Sequence, residues 1–221
     1  MNRFLRNNGL TLVLASLFGM SLFGQAFTGF AAENAERVQH GESLTTLLPY
    51  LASGAFLSSL FENWESEFLQ MWAFVMLTAY LMQKGSPESK DLDEDSPEDR
   101  DPALDQDRAD APLPIRMGGW VRSLYSHSLG LALLILFLVS FGLHWINSAR
   151  HAAEQADAHG EPAASLMDHL GEAQFWFESF QNWQSEFLST AVLIVLAIFL
   201  REKGSPESKP VSAPHFKTGT D

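Results

Sequence analysis

Asn63, Ser66, Glu67 and Gln70 fall at i, i+3, i+4 and i+7, the spacing that places four side chains on one face of a helix. Asn182, Ser185, Glu186 and Ser189 repeat the pattern 119 positions later. Each stretch sets a carboxylate beside an amide that can donate to it and a hydroxyl that can donate or accept. Two such carboxylates brought together could bind a cation or relay protons. They could equally accept hydrogen bonds that lock two helices to each other. Trp64 and Trp183 stand beside them, and tryptophan at the edge of a bilayer fits the interfacial aromatic belt.

Other chemistries find little support. The 221 residues include no cysteine, which excludes disulfides, thiolate metal sites and thiol nucleophiles. No G-x-S-x-G, H-E-x-x-H or glycine-rich phosphate loop occurs. The triplet "HGE" stands at 40–42 and again at 159–161. It reads more simply as a loop turn than as a metal site joining His40, Glu42, His159 and Glu161. No catalytic residue, metal or cofactor is expected. Gln25 and His144 occupy matching positions from which they could reach the carboxylate pair.

The elements that carry these residues are apolar. Leu10–Phe30 runs 21 residues without a charge, and Ser128–Ile146 runs 19. A helix needs roughly 20 mostly apolar residues to cross a hydrocarbon core of about 30 Å. Both runs are hydrophobic around their whole circumference, unlike a soluble surface helix. Shorter runs follow at Phe68–Met82 and Phe187–Leu200. They reach a spanning length only by drawing in the "NWESE" and "NWQSE" residues, which sets the motif at membrane depth.

"FENWESEFL" (61–69) and "FQNWQSEFL" (180–188) belong to a longer duplication: 61–90 and 180–209 match at 16 of 30 positions without a gap. The same offset superposes "HGE" on "HGE", Arg3 on Arg122 and Leu5 on Leu124. Because the second apolar run is internal, its partner near the N-terminus is expected to be retained rather than cleaved as a signal peptide.

The expected fold is therefore all-α, with four transmembrane helices arranged as two tandem, parallel hairpins. Repeat 1 covers 1–90 with spans at about 10–30 and 63–83; repeat 2 covers 117–209 with spans at about 126–146 and 182–201. Between them, 91–116 is expected to be an acidic, disordered cytoplasmic linker, and 210–221 a cytoplasmic tail. Asp91–Ile115 holds ten acids, two arginines and four prolines, a composition that cannot bury enough apolar surface to fold alone. That stretch accounts for −8 of the net charge of −13, so the acidity is local. No basic, aromatic-laced stripe invites nucleic acid. Leu44, Leu47, Leu48, Leu51 and Ala55, and the weaker set around Leu166 and Leu170, predict short amphipathic helices in the outer loops.

Twelve Lys and Arg fall on the side of the termini and only Arg37 and Arg150 on the other. By the positive-inside rule both termini and the linker are cytoplasmic, and the repeats are related by an axis along the membrane normal. That axis sets Glu67 opposite Glu186. "KGSPESK" at 84–90 and 203–209 reads in part as a helix stop, with Gly85 and Gly204 as the residue after the cap.

"FLRNNGL", "FENWESEFLQM" and "KGSPESK" together resemble a bacterial family of small integral membrane proteins known as a domain of unknown function. The resemblance covers essentially the whole chain and implies a membrane location, but no activity; with the spans and the positive-inside count, the expected location is the bacterial inner membrane, as a multi-pass protein. The expected role is a structural or accessory membrane component, not an enzyme, whose partner is the lipid bilayer. The alternative is a small cation- or proton-coupled permease using Glu67 and Glu186 and assembled as a homo-oligomer; no protein partner is indicated.

Overall fold

The computed structural model describes residues 3–91 and 96–219. Residues 92–95, inside the acidic segment, and 220–221, at the end of the expected tail, lie outside the described residues. The described chain is helical: α1 (Arg3–His40), α2 (Leu47–Leu51), α3 (Gly54–Tyr80), α4 (Leu113–Met117), α5 (Gly119–Ser126), α6 (Ser128–His159), α7 (Leu166–His169) and α8 (Ala173–Phe199).

Among the described residues, three helices, α1, α6 and α8, are long and apolar enough to cross a membrane, as in a membrane protein. Their 38, 32 and 27 residues exceed the runs read from sequence. At about 1.5 Å per residue even α8 measures roughly 40 Å, more than a hydrocarbon core. Helix α3 has the same 27 residues as α8 but is not among the three. The difference lies in the apolar half: α3 reads MWAFVMLTAY at 71–80, where α8 reads TAVLIVLAIF at 190–199, richer in Val, Leu and Ile.

The "HGE" triplets end α1 and α6 in the same way. Gly41 and Gly160 take left-handed φ of 71° and 70°. Gly41 N donates to Val38 O (3.2 Å) and Glu42 N to Arg37 O (2.8 Å); Gly160 N donates to Asp157 O (3.1 Å) and Glu161 N to Ala156 O (2.8 Å). This paired bonding satisfies the last carbonyls of a helix, and glycine adopts the required φ without Cβ strain. The triplet is thus a helix terminator.

The acidic segment, where described, is written in short turns: 3-10 turns at Pro97–Asp99 and Pro102–Asp105, then α4. Its arginines pair locally, Arg100 with Asp105 and Arg108 with Asp105 and Asp110.

The chain divides into two compact units, Met1–Phe61 with Leu143–Gly171, and Glu62–Gly142 with Glu172–Asp221. Neither is a contiguous stretch such as 1–90 or 117–209.

In the first unit, single-turn helices α2 and α7 stand where outer amphipathic helices are expected. Each turns one ring inward. Tyr50 is buried beside Gly29, where a Cβ would strike its hydroxyl. It also stacks on Phe30 and Phe56 at 5.9 and 5.3 Å. His169 is buried against Ser148, with Nε2 3.0 Å from Oγ. Tyr50 and His169 are 119 residues apart, as are Gly29 and Ser148. The larger ring faces glycine, and the smaller ring gains a hydroxyl partner. Ala55 falls in α3 rather than α2, because the chain breaks at Ala52 and restarts at Gly54. A Cβ on Gly54 would lie 2.7 Å from His151 N and 2.9 Å from Asn147 O, so only glycine lets α3 begin against the α6 backbone.

In the second unit, aromatic rings from α6 and α8 interlock. Phe141 meets Phe175 edge-on at 5.7 Å, Phe180 meets Trp183 at 5.3 Å, and Phe137 meets Trp183 at 6.3 Å. Phe175 is fully buried. Such edge-to-face pairs add stabilisation beyond their buried area.

Candidate functional site

The polar residues of α3 and α8 meet in the second unit. Glu62 accepts from Gln181 Nε2 at 3.3 Å and from Asn182 Nδ2. Glu65 is fully buried and accepts from Trp183 Nε1 at 3.1 Å. Gln70 Nε2 donates to Thr190 Oγ1 at 2.7 Å, and Thr190 passes its own proton to Glu186 O at 3.0 Å. Those from Gln181, Asn182, Trp183 and Gln70 cross from one helix to the other, while Thr190 bonds within α8, and together they satisfy polar groups that would otherwise be costly to bury.

The predicted set is only partly the set that meets. Ser66 is buried, but its hydroxyl donates to Asn63 O at 2.8 Å, and Ser185 donates likewise to Asn182 O at 2.8 Å. Both serines therefore serve their own helix. Asn182 crosses to Glu62, whereas Asn63 and Glu67 lie exposed. Glu186 is half-buried and close enough to Glu67 for their charges to act on one another. Trp183, read as an aromatic-belt residue, turns its N–H inward to Glu65; Trp64 is half-buried. Gln25 donates to Ser59 Oγ at 3.3 Å, and His144 is fully buried.

The inward face of α3 is thus 62, 65, 66 and 70, turned by about one residue from the stripe 63, 66, 67 and 70. Sequence reasoning missed Glu62, Glu65 and Gln181. The signal lay in the differences between the copies. The acid at 62 answers the amide at 181, acceptor on one helix and donor on the other, whereas Gln184 donates to Gln181 O of its own helix.

Past these helices the two "KGSPESK" segments fold identically. Gln83 N and Glu202 N donate to Ser89 Oγ and Ser208 Oγ at 2.8 and 3.0 Å. Glu88 N and Glu207 N donate to Ser86 Oγ and Ser205 Oγ, both at 3.2 Å. The exact repetition of "ESK" has its cause here, since each serine closes the loop on its own backbone. Gly85 and Gly204 are not the first residues after the helices, which end at Tyr80 and Phe199. Leu81 and Leu200 leave helical geometry first, and basic side chains then cap the open carbonyls. Lys90 Nζ donates to Ala79 O at 2.9 Å and pairs with Asp99 at 2.7 Å. Arg201 Nη1 donates to the carbonyls of Ala197, Ile198 and Leu200.

Lys209 is buried, and its ammonium donates to the carbonyls of Pro214, His215 and Lys217. Burial, with Arg201 nearby, lowers its pKa. The tail so gathered returns to the first loop, where Gly85 N donates to Thr218 Oγ1 (2.9 Å) and Gly219 N to Ser86 O (3.0 Å). Burial, with the Glu207 carboxyl 119 residues on beside it, pushes Glu88 up to about 7.

Among the described residues, no three His, Asp or Glu side chains are grouped to hold a metal ion. No curated protein and no solved structure matches the chain. One family model does, over residues 1–220, and on that extent the chain belongs to the family described as a domain of unknown function, DUF6766.

Proposed function

We propose that this chain is a non-enzymatic structural or accessory component of the bacterial inner membrane. In this reading it crosses the bilayer four times, as two copies of one hairpin related by a pseudo-twofold axis, with both termini cytoplasmic and the acidic segment as a tether between the copies. One observation carries the packing: Glu62 with Gln181, Glu67 with Glu186 and Glu88 with Glu207 are pairs 119 residues apart, and each pair interacts. A position meets its own counterpart only near a twofold axis. The bonds themselves, acid to amide and acid to indole, are the kind that fasten helices in lipid.

The proximity of Glu67 and Glu186 favours a second reading, a cation- or proton-coupled permease completed by homo-oligomerisation. Reconstitution in liposomes with measurement of proton and potassium flux separates the two. The packing reading expects no flux, together with an unchanged or raised melting temperature for Glu67→Gln plus Glu186→Gln, which relieves a like-charge repulsion. Flux abolished by that double change would make the permease the function.

A further inference from the structure

A cavity of about 360 Å³ lies within the second unit between the last turns of α3, the start of α8's apolar half and the first "KGSPESK" loop. Its walls are Phe74, Leu77 and Leu81 on one side and Phe187, Ala191 and Ile194 on the other. The Gln70–Thr190 hydrogen bond closes one end. Glu88 stands at the other, beside the buried hydroxyls of Ser86 and Ser89. From Gln70 to the level of Leu81 the slot measures about 16 Å at 1.5 Å per residue. Its volume is at the small end for ligand pockets, roughly 300–1,000 Å³. It is an apolar slot with the Glu88 carboxyl at its mouth and Glu207, which does not line it, beside Glu88.

We infer that this slot is a binding site for a single-chain alkylammonium amphiphile, with the chain between α3 and α8 and the cationic head at Glu88 and Glu207. The charge at the mouth selects the occupant. The neighbouring cations are engaged elsewhere: Lys90 with Asp99 and Ala79 O, Lys209 with three tail carbonyls, and Arg201 with the end of α8 and Ala213 O. The His215 ring lies against Phe199, with Nδ1 3.3 Å from Ile198 O. Lys84 and Lys203 are exposed. A quaternary or primary ammonium would supply the positive charge that two adjacent carboxyls lack, while an alkyl sulfate would meet repulsion. Because Glu88 titrates near 7, its ionised form gains population between pH 6 and pH 8, and cation binding should rise over that interval.

The test is photolabelling of the full chain in phosphatidylcholine nanodiscs with a diazirine-bearing dodecylammonium, the adducts being mapped by peptide mass spectrometry. Incorporation into nanodiscs is checked first by flotation, so failure to enter a bilayer is read separately from failure to bind. Adducts are expected on residues 70–89 and 187–194, competed by dodecyltrimethylammonium and not by dodecyl sulfate. Labelling should fall at least fivefold in Glu88→Gln and rise at least threefold from pH 6 to pH 8. Leu77→Trp, which fills the slot, should abolish labelling there; Leu193→Trp, on α8 but outside the lining, should leave it unchanged. Equal competition by both amphiphiles, adducts spread evenly over α1 and α6, or wild-type labelling in Glu88→Gln would each overturn the inference. If Glu88→Gln fails to fold, Glu207→Gln carries the same prediction.

Discussion

Trp183 gives its indole proton to Glu65, a carboxylate with no exposed surface, across 3.1 Å. Trp183→Phe keeps the ring's contacts with Phe180 and Phe137 but removes this donor. Withdrawing a hydrogen bond from a buried group costs about 1–3 kcal/mol. The melting temperature in a fixed detergent should therefore fall, and less so in Glu65→Gln plus Trp183→Phe than the two single changes sum to. A coupling of at least about 0.5 kcal/mol is expected. Strict additivity would mean the pair does not interact.

Gly54 meets backbone and not a flexible side chain, so the neighbour cannot yield. Gly54→Ala should destabilise by about 1–3 kcal/mol, as overpacking does. Gly19→Ala serves as the control, since nothing lies within 4 Å of its added methyl, and alanine is the better helix former. The two melting curves should shift in opposite directions.

The Glu88–Glu207 pair sets a pH dependence with a definite sign. The folded carboxyl titrates at about 7, above its ordinary 4.5. A raised acid favours the native state while protonated, so its contribution is complete below about 4.5 and is lost as pH rises through 7. Thermal stability should thus decline from pH 5 to pH 7.5, and Glu88→Gln should flatten that decline. A parallel decline in the variant would assign it to other groups.

Arg100 and Arg108 are exposed in the acidic segment and offer trypsin two sites. In the proposed orientation, inverted vesicles should be cut there rapidly, while right-side-out vesicles of the same protein stay intact. Cleavage only in the latter would reverse the topology. Slow cleavage in both would mean that the local arginine–aspartate pairs hold the segment folded.

What could be read in advance depended on which force sets each feature. Long uncharged runs identify α1 and α6, because bilayer thickness fixes the requirement. Helix ends were less legible: α1 and α6 continue to "HGE", whose glycines are terminators recognisable only once the helix is known to reach them. The inward face of α3 was misjudged by one residue. An apolar stripe points a helix to a core, but α3 is turned by its polar bonds to α8, and those depend on the partner. Glu62 and Glu65 become informative only when set against Gln181 and Gln184. The "ESK" of the duplicated loop was legible as repetition but not as cause, which required seeing Ser89 and Ser208 bonded to their own backbones.

Lys90 and Lys209 close those two identical loops, yet one reaches a helix end and an aspartate while the other draws three carbonyls of the tail around itself. The same seven letters therefore hand the chain onward by different routes. Transplanting either heptapeptide would reproduce the bend, but its destination belongs to whatever follows, so divergence after the duplication could proceed downstream without a change of vocabulary.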